Sequence, residues 1–251
     1  MVWTKPLTPG AYYPFSGFRK PRTPTAKPLG TAYVAAVLAD SPGAYWHMGE
    51  STGIMADSTG HGNGLSMAGS GPWVRGQPGL PPNYRDGCMQ FGGQSMAGTG
   101  GTSPTTDLGD VWTIEAWIAR TTFGNAGAET ILSKPNGGYN MRIAGAGNQL
   151  SMLCAGTAVL ATSTVAITDT APHHCVCTKN GASGHIYIDG TDVTGAYTDH
   201  TCVNTAYWLS VGNDNGAAPA ISMFIDEVAI YPTALSPARV LAHYNAGMTP
   251  P

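Results

Sequence analysis

Apolar and polar residues trade places at short range along most of this chain. Val111–Arg120, VWTIEAWIAR, is the clearest case. On an extended backbone Trp112, Ile114, Ala116 and Ile118 face one way, and Thr113, Glu115 and Trp117 the other. Further strands are predicted at Ala44–Met48 and within GCMQFGGQ, TILSKP, YNMRIAGAG and NQLSMLCAG. APHHCVCTKNGASGHIYIDG holds two more, AYWLSVGND another, and ISMFIDEVAIY closes the series. Gly, Pro and Asn punctuate them, and Asp189-Gly190 is the dipeptide that favours a tight hairpin. Such a run of short strands, uninterrupted by a long helical period, predicts an all-β antiparallel sandwich or jelly roll.

Two short stretches depart from the strand pattern. AVLADSPG is a helical or turn piece ahead of the first strand. Near the C-terminus the residue order predicts a short helix: Ser236 as N-cap and Pro237 at the first helical position, where a missing N–H costs nothing. Leu235 and Val240 are placed to staple its start, Val240, Leu241 and Tyr244 form an apolar face, and Gly247 is the expected left-handed terminator.

Residues 1–30 have a different texture. They hold six prolines, five aromatics and five Lys or Arg, with no acid. Proline fixes φ and removes donors, so an extended N-terminal arm is predicted here, with the folded domain at 31–251. Trp3, Tyr12, Tyr13, Phe15, Phe18 and Arg19 are the residues with which such an arm would hold a partner.

Composition narrows the function classes. Hydrophobic residues are 42% and charged residues only 11%, while Gly 34 and Pro 19 suit many turns. Net charge is −3 with no basic stripe, which argues against nucleic acid. No run of 18 apolar residues exists to enter a membrane, and the first residues do not read as a secretion leader. The five cysteines, Cys88, Cys154, Cys175, Cys177 and Cys202, match no disulfide framework and are expected to be buried free thiols. A zinc site in HHCVC would need ligands from elsewhere, because neighbouring strand residues point to opposite faces.

Four segments taken in order resemble the laminin-G-like, concanavalin A-like jelly-roll domains: AYWHMGESTGIMADSTGHGNG, WTIEAWIA, GHIYIDGTDVTG and FIDEVAIYPTALSPARVLAHYNAG. The resemblance covers about residues 33–248 and implies two antiparallel sheets packed face to face, with the C-terminal helix sealing an edge or open end. In that family an acid at the position of Asp226 often helps to hold a structural calcium. Asp57 in the ADSTGHGNG loop is the oxygen-rich partner offered here, and Glu50 a weaker third; the alternative is that Asp226 accepts backbone N–H groups. Jelly-roll glycosidases carry paired carboxylates on one strand, whereas VWTIEAWIAR carries only Glu115, and Asp226 and Glu227 are adjacent and so expected on opposite faces. A non-enzyme is therefore expected.

The resemblance extends to bacteriophage virion proteins. It implies a capsid decoration or minor tail component, anchored to other virion proteins through residues 1–30 and displaying the jelly roll on the virion surface after assembly in the host cytoplasm. Such proteins often form trimers, so a homo-oligomer is expected. The alternative is a carbohydrate-binding module for host-surface glycans, with Trp73, Tyr84, Trp117, Tyr197 or Tyr207 as aromatic platforms.

Overall fold

The alternating stretch at Val111–Arg120 becomes the most enclosed strand of the structure, with every residue after Val111 buried. Alternation alone predicts one dry face, so something covers the other. The computed structural model describes residues 31–249 apart from 83–85, 100–102, 124–126, 136–137, 155–157, 204–206 and 214–220. The arm residues Trp3, Tyr12, Tyr13, Phe15, Phe18 and Arg19 lie outside the described residues, as does Tyr84.

The chain begins with helix α1 (Thr31–Ala39) and the short strand β1 (Ala44–Trp46). Strands β2 (Ser66–Gly69), β3 (Trp73–Pro78), β4 (Gly87–Gly93) and β5 (Ser95–Gly98) precede the long β6 (Val111–Arg120). A meander follows: β7 (Glu129–Ser133), β8 (Asn140–Ala144), β9 (Gln149–Cys154) and β10 (Ala158–Ala166). Then come β11 (His173–Asn180), β12 (Ser183–Ile188), β13 (Thr191–Asp192), β14 (Ser210–Val211), β15 (Ile221–Tyr231) and helix α2 (Pro237–Met248). Among the described residues one sheet runs β13-β12-β11-β6-β15-β4-β3, with β1 also on β15, and the other runs β10-β9-β8-β7-β14-β5-β2. All pairings are antiparallel, so the jelly-roll sandwich read from the sequence is the observed fold. Asp189 and Gly190 both take positive φ in the β12–β13 hairpin, as the Asp-Gly signal predicts.

Two dry layers result. Trp112, Ile114, Ala116 and Ile118 of β6 meet residues of both sheets in the main core. On the other side of the same sheet Trp117, Ala119, Val176 and Tyr231 pack with Tyr33 and Val37 of α1 and Val240 of α2. The helices thus cover the outer face of the sheet, rather than α2 sealing an edge or open end as expected, which is why β6 and β15 are buried on both sides. Ser236 caps α2 and Pro237 opens it as predicted, but the inward face differs from expectation. Val240, His243 and Gly247 point in, while Leu241 is exposed. Gly247 does not end the helix. A Cβ on it would lie 2.6 Å from Trp117 Cζ2, so glycine here allows the helix to sit against the indole.

The cysteine expectation needs one correction. Cys154 at the end of β9 and Cys202 in the loop before β14 form a disulfide across 48 residues. Spacing could not show this pairing, because only the folded sheet brings the two together. Cys88, Cys175 and Cys177 are free and buried, and burial raises all three thiol pKa values, so they are poor nucleophiles.

Candidate functional site

Strand β15 carries two adjacent acids in an apolar run. Strict alternation would send them to opposite faces. The structure instead places a bulge between Asp226 and Ala229, with Glu227 at φ 51°. One extra residue shifts the phase, so Val228 and Ile230 join the main core while Asp226 and Glu227 both reach the outer, helix-side layer. The expected separation of Asp226 from Glu227 is therefore corrected.

Asp226 accepts the backbone N–H of Leu80 at 2.8 Å and that of Glu227 at 3.0 Å, the hydrogen-bonded alternative read from the sequence. Asp57 sits elsewhere in its loop, accepting from the backbone N–H groups of Tyr45, Thr59 and Asn63, the Thr59 hydroxyl and the Asn63 amide. Burial pushes its pKa up, but the Thr59 hydroxyl and these backbone donors more than reverse that and hold it below the usual value. Both Asp57 oxygens are thus engaged by protein donors, and among the described residues Asp57 shares no hydrogen-bond partner with Asp226. The described residues therefore do not fit one oxygen cage for calcium built from that pair.

Glu227 instead meets two groups not linked to it by sequence. Its carboxylate lies 3.1 Å from His47 Nδ1, its Oε2 accepts the Tyr45 hydroxyl, and Asp86 Oδ2 lies 3.8 Å from the same His47 nitrogen. One potential ligand atom from each of His47, Asp86 and Glu227 falls within 4.8 Å of the others. Burial, followed by the charges of neighbouring acids, pushes the carboxyl pKa of Asp226 and Glu227 well up. No local signal marks His47 or Asp86 as members of this group. The only sequence anomaly is the acid pair itself, which signals a break in strand phase.

A cavity of about 420 Å³ opens beside this cluster, lined by Gly49, Gly76, Gln77, Pro78, Gly79, Asp86 and Gly87. The edge strand β3 forms one wall and carries Trp73, which is 42% exposed. The Arg75 guanidinium lies 5.5 Å from the Trp73 ring centre and is held by the carbonyls of Glu50 and Gly53. Tyr207 is also exposed. Tyr197 is partly buried against the core beside Lys179 and Asp199. Trp117 is fully buried beneath α2, so it cannot act as a glycan platform.

A second polar group lies wholly inside. Glu115 accepts from the Tyr33 and Tyr231 hydroxyls at 2.7 Å each, from His174 Nε2 at 2.7 Å and from His243 Nδ1 at 2.9 Å. His243 Nε2 reaches Asp40 at 3.0 Å, and Arg239 holds the same carboxylate. Burial would raise the Glu115 pKa, but the His243 charge and the two imidazole hydrogen bonds bring it well below its ordinary 4.5. Burial would lower the His243 pKa, but Glu115 and Asp40 lift it above 6.5. The carboxylate's contribution to stability is complete above pH 4.5 and is lost as pH falls through its lowered value. The imidazolium's contribution is complete below pH 6.5 and is lost as pH rises through its raised value. Denaturant unfolding is therefore expected to show greatest stability between those limits, and His243→Gln should flatten the alkaline limb. A stability that climbs steadily to pH 9 would contradict this.

His174 faces Glu115 on the outer layer, while Cys175 and Cys177 lie in the main core, so HHCVC does not assemble a metal site. No helix among the described residues is long and apolar enough to cross a membrane.

Comparison with known proteins agrees with this architecture. Solved chains with similar folds include botulinum neurotoxin type C, whose cell entry depends on interaction with two ganglioside molecules, at TM-score 0.60 and 16% identity. The alignment covers 85% of this chain and 53% of that one. The binding domain of botulinum neurotoxin DC in complex with SialylT matches at TM-score 0.60 and 16% identity, over 83% of this chain and 52% of that one. Trypanosoma rangeli sialidase in complex with the inhibitor DANA matches at TM-score 0.58 and 12% identity, over 80% of this chain and 32% of that one. The chain thus spans about half the length of the neurotoxin chains, and identities this low establish a shared fold. No curated protein matches in sequence. The Laminin_G_3 model, described as the concanavalin A-like lectin/glucanases superfamily, matches residues 92–241, more than half of the chain. With its two antiparallel sheets, this chain belongs to that family.

Proposed function

We propose that this domain recognises glycans and does not transform them. The observation that carries the reading is the exposed Trp73 on edge strand β3, with Arg75 against its ring and a cavity of about 420 Å³ along the same strand. An indole offers the apolar face of a sugar a flat surface, and Arg75, Gln77 and the glycine-rich walls offer hydrogen-bonding groups nearby. Fold neighbours that meet gangliosides, SialylT and a sialidase inhibitor support the same class of ligand.

The non-catalytic half of the proposal rests on burial. Glycoside hydrolysis needs two carboxylates flanking the sugar bond. Asp226 and Glu227 do share a side, contrary to strict alternation, but both are fully buried, as is Glu115. A substrate cannot reach any of the three.

A virion component docked through residues 1–30, in a homo-oligomer, is the second reading. It rests on the prolines and aromatics of that arm. The Cys154–Cys202 disulfide withdraws one of its supports, the expectation of unpaired cysteines.

The test is a broad glycan array followed by binding measurements on its hits. Trp73→Ala should weaken binding at least about tenfold, equivalent to about 1.4 kcal/mol, while leaving the melting temperature unchanged. An array without hits, or full affinity in the variant, would sink the reading.

A further inference from the structure

We propose that His47, Asp86 and Glu227 form a binding site for a divalent cation of the zinc class. The three residues come from distant parts of the chain: the segment after β1, the residue before β4 and the bulge in β15. Their ligand atoms all lie within 4.8 Å of one another. Zinc bonds of about 2.0–2.1 Å in tetrahedral geometry place ligand atoms about 3.3 Å apart. The two measured edges, His47 Nδ1 to Glu227 Oε1 at 3.1 Å and to Asp86 Oδ2 at 3.8 Å, bracket that spacing. Small side-chain shifts would close the set on an ion.

The second observation is independent of the spacing. Asp86 has a side chain only 9% exposed, and both of its buried oxygens lack a hydrogen-bond partner. Glu50 Oε2, from the same neighbourhood, is buried and unpartnered too. A desolvated carboxylate without donors costs free energy unless a cation faces it. Among the described residues no lysine or arginine forms an ion pair with Asp86, Glu227 or Glu50. Glu129, another buried acid, has a basic partner in Arg120 at 2.7 Å.

The ligand chemistry selects the ion. Calcium takes oxygen ligands, whereas an imidazole with two carboxylates suits zinc. Supporting contacts are in place, since the Tyr45 hydroxyl donates to Glu227 Oε2, both Glu227 oxygens lie near His47 Nδ1, and the His47 ring sits 4.6 Å from that of Tyr45. Asp86 also lines the cavity, so a fourth position can be filled from solvent.

The full chain, stripped with a chelator, would be titrated with zinc chloride in a calorimeter, and separately with calcium chloride. One zinc per chain is expected. His47→Ala and Asp86→Asn should each weaken it at least about tenfold, with circular dichroism confirming the fold. Should a variant fail to fold, cobalt(II) loaded into the native chain supplies the readout: strong visible absorption supports a tetrahedral site with a nitrogen ligand, and the weak spectrum of the hydrated ion opposes it. No saturable zinc uptake, unchanged affinity in both folded variants, or displacement of zinc by equimolar calcium would overturn the proposal. The titration contains no glycan, so it stands or falls separately from carbohydrate recognition.

Discussion

Glu115→Ala is expected to lower the unfolding free energy by about 3–5 kcal/mol, the cost of breaking a buried charge pair from one side. Two hydroxyls and two imidazoles converge on this carboxylate, and every one of them is fully buried. Alanine would leave His243 with Asp40 as its acidic partner and would strand the hydroxyls of Tyr33 and Tyr231. Tyr33 belongs to α1 and His243 to α2, so the loss should loosen both helices from the sheet. Guanidinium unfolding reads the change as a lower midpoint. Glu115→Gln keeps the volume and one acceptor oxygen and should cost less than alanine. A loss under about 1 kcal/mol for alanine would show that the network balances its own desolvation and holds the helices only weakly.

Removing the disulfide should have an effect of similar size. Closing a loop between Cys154 and Cys202, 48 residues apart, restricts the unfolded chain by about 4 kcal/mol on chain-entropy grounds. The Cys154→Ser, Cys202→Ser double variant is therefore expected to unfold at distinctly lower denaturant. The native protein should resemble it once reduced. Thiol titration gives a check without mutation. The denatured, unreduced protein should expose only the free Cys88, Cys175 and Cys177, and reduction should expose all five cysteines. Five reactive thiols before reduction would remove the bridge and the prediction with it.

Local pattern carried much of the fold. The two faces of β6 divide as the alternation of Val111–Arg120 requires. The Asp189-Gly190 hairpin and the Ser236-Pro237 helix start follow from backbone preferences that act within a few residues. The inward turn of His243 was less legible. A helix face is set by what it meets, and Glu115 beneath α2 favours an imidazole where Leu241 would have been the apolar choice. Gly247 reads from the sequence as a terminator, but the indole of Trp117 makes it a point of close approach inside the helix.

The candidate sites were less legible still. Of the aromatic platforms that the sequence offers, Trp73 is exposed, whereas Trp117 is buried because the helices cover the outer face of the sheet. Asp226 stands out in the sequence as an acid in need of partners, and backbone N–H groups, the alternative to calcium, supply them. His47 and Asp86 carry no sequence signal that would join them to Glu227.

Most of the strands, the turns and the sandwich class follow from the sequence, since period-two alternation and turn chemistry are properties of neighbouring residues; β2, β3, β5 and β10 emerge only in the folded sheets. Tertiary structure alone decided the rest. Helix cover made a second buried layer out of the side opposite the main core. A single bulged residue at Glu227 brought two acids to one face and set one of them against His47 and Asp86. Cys154 met Cys202 for the same reason: contacts between residues far apart in the chain depend on where whole strands lie, and no local spacing encodes that.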